Sequence, residues 1–373
     1  MNFLNAKISI SALIASIAIL PFSASALSRQ WTPDEARAWS AKSGWKVGAN
    51  YIPADAINPL EMWQAETFNP TLIDRELGYA EGLGFNSVRV FLHDLPWDQD
   101  SVGFGKRIDL FLKIASAHKI RPVFVLFDSC WNPNPQLGVQ PLPRPGVHNS
   151  GWIQSPGIPA LSDPKQIPRL RRYVEGVIKK FAADPRILAW DLWNEPDNLN
   201  VGSANDTAAK VKIVEGLLPK VFAWARTADA TQPLTSAVWN GDWSHANSLK
   251  KTETTQLNLS DIISFHNYDP AFEFSARVDQ LRRYDRPLFL TEYMARPRGS
   301  TVEAILPVAK KENVSAYVWG FVSGKTQTIY PWDSWEHPYP SEPILWFHDL
   351  LRQDGSPFSN SELLKIRELT GKK

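Results

Sequence analysis

Eight short apolar runs, each followed by an amphipathic stretch, are the feature of this sequence that most restricts its fold. The runs are Trp45–Tyr51, Asn86–His93, Pro122–Phe127, Arg186–Trp193, Leu234–Trp239, Asp261–His266, Pro287–Glu292 and Ser315–Gly320. Short, branched and aromatic segments of this kind read as parallel strands buried on both faces. Between them, Thr71–Leu83, Lys106–His118, Pro168–Ala183, Ala208–Thr227, Phe272–Tyr284, Thr301–Glu312 and Pro343–Arg352 read as helices. Gly84 closes the first of these helices, and Pro219 predicts a kink in the fourth. At 373 residues the chain is long enough for one large barrel or two ordinary domains. No linker or composition break divides it, so the alternation predicts an α/β fold, a single (β/α)8 TIM barrel.

The first residues stand apart from this pattern. Lys7 precedes an apolar run, Ile8–Leu20, and then Pro21-Phe22-Ser23-Ala24-Ser25-Ala26. Ala24 and Ala26 form a small-x-small pattern, so a signal peptide over 1–26 is expected, with residues 27–373 as the catalytic domain. The apolar run is too short for a membrane span, and no second segment is long enough. An exported, monomeric protein is expected, periplasmic or extracellular, with no membrane attachment after cleavage. Cys130 is the only cysteine, which rules out an internal disulfide, and its apolar, aromatic setting reads as packing. Asn205-Asp206-Thr207, Asn258-Leu259-Ser260 and Asn313-Val314-Ser315 are formal glycosylation triplets, without meaning in a bacterial host.

Composition narrows the partners. A net charge of +1 gives no reason to expect nucleic acid. The 7 histidines show no ligand spacing such as His-x-His, so neither metal nor cofactor is expected. The 16 tryptophans exceed what a core absorbs readily, because each buried indole N–H needs a partner. Exposed indoles would offer stacking surfaces for sugar rings, which points to an oligo- or polysaccharide.

Two runs end in an acid. Trp190-Asp191-Leu192-Trp193-Asn194-Glu195-Pro196 is a buried strand that Pro196 terminates, because proline brings no N–H to the ladder. Arg286-Pro287-Leu288-Phe289-Leu290-Thr291-Glu292-Tyr293 repeats the pattern three strands later. Carboxyls just past barrel strands sit where such barrels do their chemistry. Cleaving a glycosidic bond needs a proton for the leaving oxygen and a negative group beneath the developing oxocarbenium ion.

With Asn-Glu-Pro on the fourth strand and a glutamate ending the seventh, the sequence resembles the clan A retaining glycoside hydrolases, family 5 most of all. The resemblance implies that Glu195 is the acid/base and Glu292 the nucleophile. It also implies roles for His266 and Tyr268, which match the family's His-x-Tyr pattern on the sixth strand: the tyrosine holds the nucleophile and the histidine lies by the acid/base. Arg89 matches the arginine that keeps the nucleophile ionised, Asn194 the amide for the sugar 2-hydroxyl, and Trp319 the indole platform under the sugar. One position departs from the family. The third strand ends in Asp128 where a histidine is usual, so Asp128 either replaces it as an acceptor for a sugar hydroxyl or marks a neighbouring family. His93 and Asp94, after the second strand, are placed equally well for substrate contact or for structural pairing.

The expected activity is that of a retaining β-glycoside hydrolase, with β-glucan or β-mannan favoured over xylan. A transglycosylase on the same barrel is the alternative, because water and a sugar hydroxyl compete for one intermediate. A carbohydrate-binding protein on an inactive barrel would have lost one glutamate, and both are present. The segments Ser129–Asp163 and Gly324–Pro343 are aromatic-rich loops expected to shape either an open cleft or a closed pocket.

Overall fold

The computed structural model describes residues 29–199 and 208–372. The expected signal peptide and the Asn205 triplet fall outside these residues. Eight strands form in the expected places: Val47–Asn50 (β1), Ser87–Phe91 (β2), Arg121–Asp128 (β3), Ala189–Asn194 (β4), Leu234–Thr235 (β5), Ile263–His266 (β6), Leu288–Tyr293 (β7) and Ser315–Val318 (β8). All pair in parallel, in the order β5-β4-β3-β2-β1-β8-β7-β6. The two ends of this sheet meet through Val238, whose N–H donates to the Ser264 carbonyl at 3.1 Å and whose carbonyl accepts the His266 N–H at 2.9 Å. The sheet is therefore a barrel, as the alternation of runs predicts.

Strand β5 is shorter than its apolar run. The Ala237 carbonyl accepts from Gln256 Nε2 at 2.5 Å, and Ser236 Oγ donates to the Trp193 carbonyl at 2.7 Å. Side chains thus replace part of the ladder there.

The expected helices form at Pro70–Gly82, Ser101–Ala117, Ile167–Lys180, Ala208–Thr227, Ala271–Leu281 and Val302–Lys311. Ile167–Lys180 buries Leu170, Tyr173, Val174, Val177 and Ile178, one apolar stripe at helical spacing that packs against the sheet. Pro219 lies inside Ala208–Thr227, which runs on through it. Lys251–Leu259 is an additional helix. Its buried face includes Thr252, Glu253 and Gln256, so hydrophobic periodicity does not announce it.

One expected helix is absent. Pro343–Arg352 is irregular, and the chain instead ends on a helix at Asn360–Thr370. The cause is Arg296, buried and bidentate to Glu362 with both bonds at 2.7 Å. Its remaining N–H groups donate to the carbonyls of Trp346 (3.1 Å), His348 and Asp349 (2.8 Å). Those carbonyls serve a buried cation rather than a helical ladder, while Trp346, Phe347, Leu350 and Leu351 still bury their side chains.

The amino-terminal ends of the strands close over Val123, Leu188, Ala189, Ile262, Phe289 and Tyr317. Trp39, from the helix Pro33–Ser43, packs against this plug. With that end filled, ligand access is left to the carboxyl ends of the strands, where both glutamates lie.

Candidate active site

Strand register assembles the site. Asn50 on β1 is level with Arg89 on β2, Asp128 on β3 with Asn194 on β4, and His266 on β6 with Glu292 on β7. Arg89 is fully buried and occupies the centre. It donates from Nη1 to Asn50 Oδ1 (2.9 Å) and Glu292 Oε1 (2.8 Å), and from Nη2 to Asn194 Oδ1 (2.6 Å). Nε and Nη2 both reach Asp191 Oδ2, at 3.0 and 2.8 Å. A guanidinium between two buried carboxylates compensates charge that would otherwise be very costly inside a barrel.

Glu292 is buried at the end of β7, with Oε1 on Arg89 and Oε2 accepting from the Tyr268 hydroxyl at 2.7 Å. Burial raises its proton affinity, and the Arg89 guanidinium opposes that rise. Burial and the neighbouring Glu292 keep the Tyr268 hydroxyl far above its ordinary titration range, so it remains a donor.

Glu195 follows β4 directly, with φ at +42°. A left-handed backbone at a non-glycine residue costs on the order of 1–3 kcal/mol and is held only by its surroundings. Here the Glu195 carbonyl accepts the Asn198 N–H at 2.9 Å, and the next carbonyl, of Pro196, accepts from Ser129 Oγ at 3.0 Å. The Glu195 carboxyl touches His266 Nδ1 through Oε1 at 2.7 Å and accepts from Asn198 Nδ2 at Oε2, at 2.5 Å. Burial pushes it up to about 7, against the pull of Asn198, Cys130 and Arg89.

His266 stands between the two acids, 2.7 Å from Glu195 and 3.4 Å from Glu292. Burial lowers it to about 4, so the ring is neutral near pH 7. One oxygen from each carboxyl and one ring nitrogen all lie within 4.8 Å of one another. We assign this trio no metal, because Arg89 already supplies positive charge to Glu292 and would repel a cation. The arrangement places one carboxyl with a guanidinium and a phenol, and the other with amide and thiol donors. Unequal environments of this kind separate the proton affinities of paired acids.

The remaining expected residues divide. Asn194 lies within the site, its Nδ2 donating to Asp128 Oδ1 at 2.9 Å. Asp128 is also at the site: Oδ1 further accepts the Cys130 N–H at 3.1 Å, and Oδ2 the Trp152 indole N–H at 2.6 Å. Burial raises Asp128 to about 6. These bonds make it a bracket that orients Asn194 and Trp152. Trp319, half-buried after β8, meets Phe91 and Trp152 edge-on at 5.9 and 5.8 Å. A small cavity beside it is also lined by Asn50, Phe91, Asn149 and Trp152.

His93 does not reach the acids. Its Nε2 meets the Gln154 carbonyl at 3.1 Å and its Nδ1 accepts the Leu95 N–H at 3.2 Å, capping the helix Asp94–Gln99. Asp94 is bound to Ser155 Oγ (2.7 Å) and Arg169 (2.7 Å). Of the two readings left open for this pair, structural pairing is the one observed.

Several residues of the site escape sequence reasoning. Asp191 carries a signal, as a charge inside an otherwise apolar strand. Asn50 and Asn198 carry none. Cys130, expected only to pack, sits with Sγ 3.3 Å from Glu195 Oε2.

The two aromatic-rich loops lock together above the barrel. Trp131 stacks on Trp335 at 5.0 Å, the His148 N–H donates to Ser334 Oγ at 2.9 Å, and the Asn149 and Tyr339 N–H groups donate to Thr326 (2.8 Å) and Gly146 (3.0 Å) carbonyls. Trp332 meets Tyr268 edge-on at 5.3 Å, so the second loop extends to the Glu292 side of the site.

Residues 146–327 match the sequence profile of the cellulases, glycosyl hydrolase family 5. No curated protein matches the chain. Among solved structures, the chain is similar to GH5_18 from Streptomyces cattleya in complex with GlcNAc (12% identity, 88% of this chain, 80% of that one, TM-score 0.58). It is also similar to the endo-1,4-β-D-mannanase of Thermotoga petrophila RKU-1 (12%, 88% and 99%, TM-score 0.55). A third is the exo-β-1,4-mannosidase Op5Man5 of an Opitutaceae bacterium, strain TAV5 (19%, 88% and 59%, TM-score 0.58). At such identities the structural likeness speaks for the barrel alone, and the profile match adds a likeness in sequence to the family 5 glycosyl hydrolases over residues 146–327.

Proposed function

We propose that the protein is an exported, monomeric, retaining β-glycoside hydrolase acting on β-glucan or β-mannan chains or their oligosaccharides. The observation that carries this reading is the approach of the Glu195 and Glu292 carboxyl oxygens to within 4.8 Å, with His266 between them. Retaining hydrolysis uses carboxyls about 5 Å apart, and inversion a wider gap that admits water. In the first step a Glu292 oxygen bonds to the anomeric carbon as the glycosidic C–O bond breaks, and the Glu195 proton passes to the leaving oxygen. In the second step water attacks that carbon, Glu195 takes the water proton, and the bond to Glu292 breaks. Arg89 and Tyr268 keep Glu292 ionised for attack, and the buried Glu195 holds its proton near neutrality. Loss of the Glu292 charge in the intermediate then lowers the proton affinity of Glu195, which suits its second role.

The cellulase profile favours a β-glucan backbone, and the activities named for the mannanase and mannosidase relatives favour β-mannan. The junction of the two loops beside Trp319 favours a cleft closed at that end. The test is incubation of the mature protein with β-glucans, mannans, xylans and aryl β-glycosides, following product length and anomeric configuration by NMR. Short products of retained β configuration from glucan or mannan are expected. An initial α product, or activity on xylan alone, would overturn the reading. Longer products at high substrate concentration would instead identify transglycosylation.

A further inference from the structure

Oxygen Oε2 of Glu195 is held from the side opposite His266 by two groups that the two-carboxylate mechanism does not require. Asn198 Nδ2 donates to it at 2.5 Å, and the Cys130 thiol lies 3.3 Å away. We propose that Asn198 and Cys130 are positioning residues that fix the Glu195 carboxyl and favour its ionised form between the two steps of the reaction. The inference rests on the acid/base reading of Glu195.

The scaffold around the pair is built to hold it. Ser129, next to Cys130, donates its N–H to the Asn194 carbonyl (3.2 Å) and its Oγ to the Pro196 carbonyl (3.0 Å), while the Trp193 indole donates to Ser129 Oγ (2.9 Å). The buried Lys210 ammonium clamps both segments at once, donating to the Ser129 carbonyl at 3.0 Å and the Asn198 carbonyl at 2.8 Å. The thiol is itself oriented, with the Asn194 and Asn198 amides each 3.5 Å from Sγ. A sulfur that accepts from two amides points its hydrogen elsewhere, and Glu195 Oε2 is the acceptor at hand. Burial raises the thiol far above its ordinary range, so it stays protonated and remains a donor.

Donors on a carboxylate oxygen stabilise the charged form. Among the described residues, the other groups facing Glu195 are His266 from β6, Glu292 from β7, Arg89 from β2, Asp128 from β3, and Asp197 on its own loop. None of these donates to Oε2, so the two donors there tune the acid without blocking Oε1. Removing a donor makes ionisation harder. The acid then stays protonated to higher pH, and the basic limb of the rate profile moves up.

The test compares Asn198→Ala, Cys130→Ala and Cys130→Ser with the wild type, on an aryl β-glycoside that the wild type cleaves. The basic limb of kcat/KM against pH is one readout. The other is the Glu195 carboxyl titration, followed by 13C NMR and assigned by its loss in Glu195→Gln. Asn198→Ala should weaken ionisation about tenfold, one pH unit, and Cys130→Ala about threefold. Cys130→Ser, which keeps an O–H donor, should return the midpoint to within about 0.3 of wild type, whereas a packing role would make serine and alanine behave alike. Unmoved midpoints in folded variants, or equal effects of serine and alanine, would overturn the proposal. If the protein cleaves no glycan but the carboxyl midpoint moves as stated, the positioning stands and the hydrolase reading fails.

Discussion

Replacing Glu195 by Gln should stabilise the protein, and increasingly so as pH rises. Burial raises this carboxyl from 4.5 to about 7, so the folded state holds its proton where the unfolded chain has released it. For an acid raised on folding, the stability is complete below the unfolded value and is lost as pH climbs toward the folded one. Holding the proton from 4.5 to about 7 corresponds to about 3 kcal/mol of stability forgone by pH 7–8. Glutamine never ionises, and its amide can still present an oxygen to Asn198. Asp128, Asp349 and Glu76, also raised by burial to about 6, 6 and 7, titrate in the same window but remain in both proteins and largely cancel. Thermal melts of the two proteins should coincide near pH 4 and separate by about 4 °C at pH 8, with the variant higher. A separation that is constant with pH, or a variant that melts lower at pH 8, would refute the claim that this carboxyl is held protonated against its own ionisation.

Three other outcomes follow from the same contacts. Arg89→Met should cost about 3–5 kcal/mol, because Asp191 and Glu292 lose their shared counter-charge; denaturant unfolding measures it, and a loss under 1 kcal/mol would count against the central role of Arg89. Tyr268→Phe removes a donor from ionised Glu292, so the acidic limb of the rate profile should move to higher pH by about one unit, with unfolding stability changed far less; an unmoved limb would mean that the phenol does not hold the nucleophile. Trp152→Phe strands Asp128 Oδ2 without its donor and should cost about 1–3 kcal/mol, more at pH 8 than at pH 5; a loss independent of pH would assign it to packing alone.

Strand ends were the most legible part of the sequence. The runs ending at Glu195 and Glu292 show both the element and its stop, because an apolar parallel strand and a following proline or acid are local signals. His266, Tyr268, Arg89 and Asn194 also converge on the two acids, although their roles in turnover rest on the resemblance. What the sequence hides is decided by partners far along the chain. Cys130 reads as packing until the β3 and β4 loops are brought together through Ser129 and Lys210. The apolar segment after Pro343 reads as a helix until Arg296 claims its carbonyls. Lys251–Leu259 conceals a helix because Thr252, Glu253 and Gln256 make most of its buried face polar. Nothing near Asp128 in sequence reveals that Trp152 and Asn194 donate to it.

In the proposed mechanism Glu292 carries the sugar between the two steps. Incubation with a 2-deoxy-2-fluoro β-glycoside bearing a good leaving group, followed by proteolysis and mass spectrometry, reads this directly. One covalent sugar is expected on the peptide that includes Leu288–Tyr293, at Glu292, and none in Glu292→Ala. A label on another residue, or turnover of the natural glycan with no covalent species formed, would contradict it.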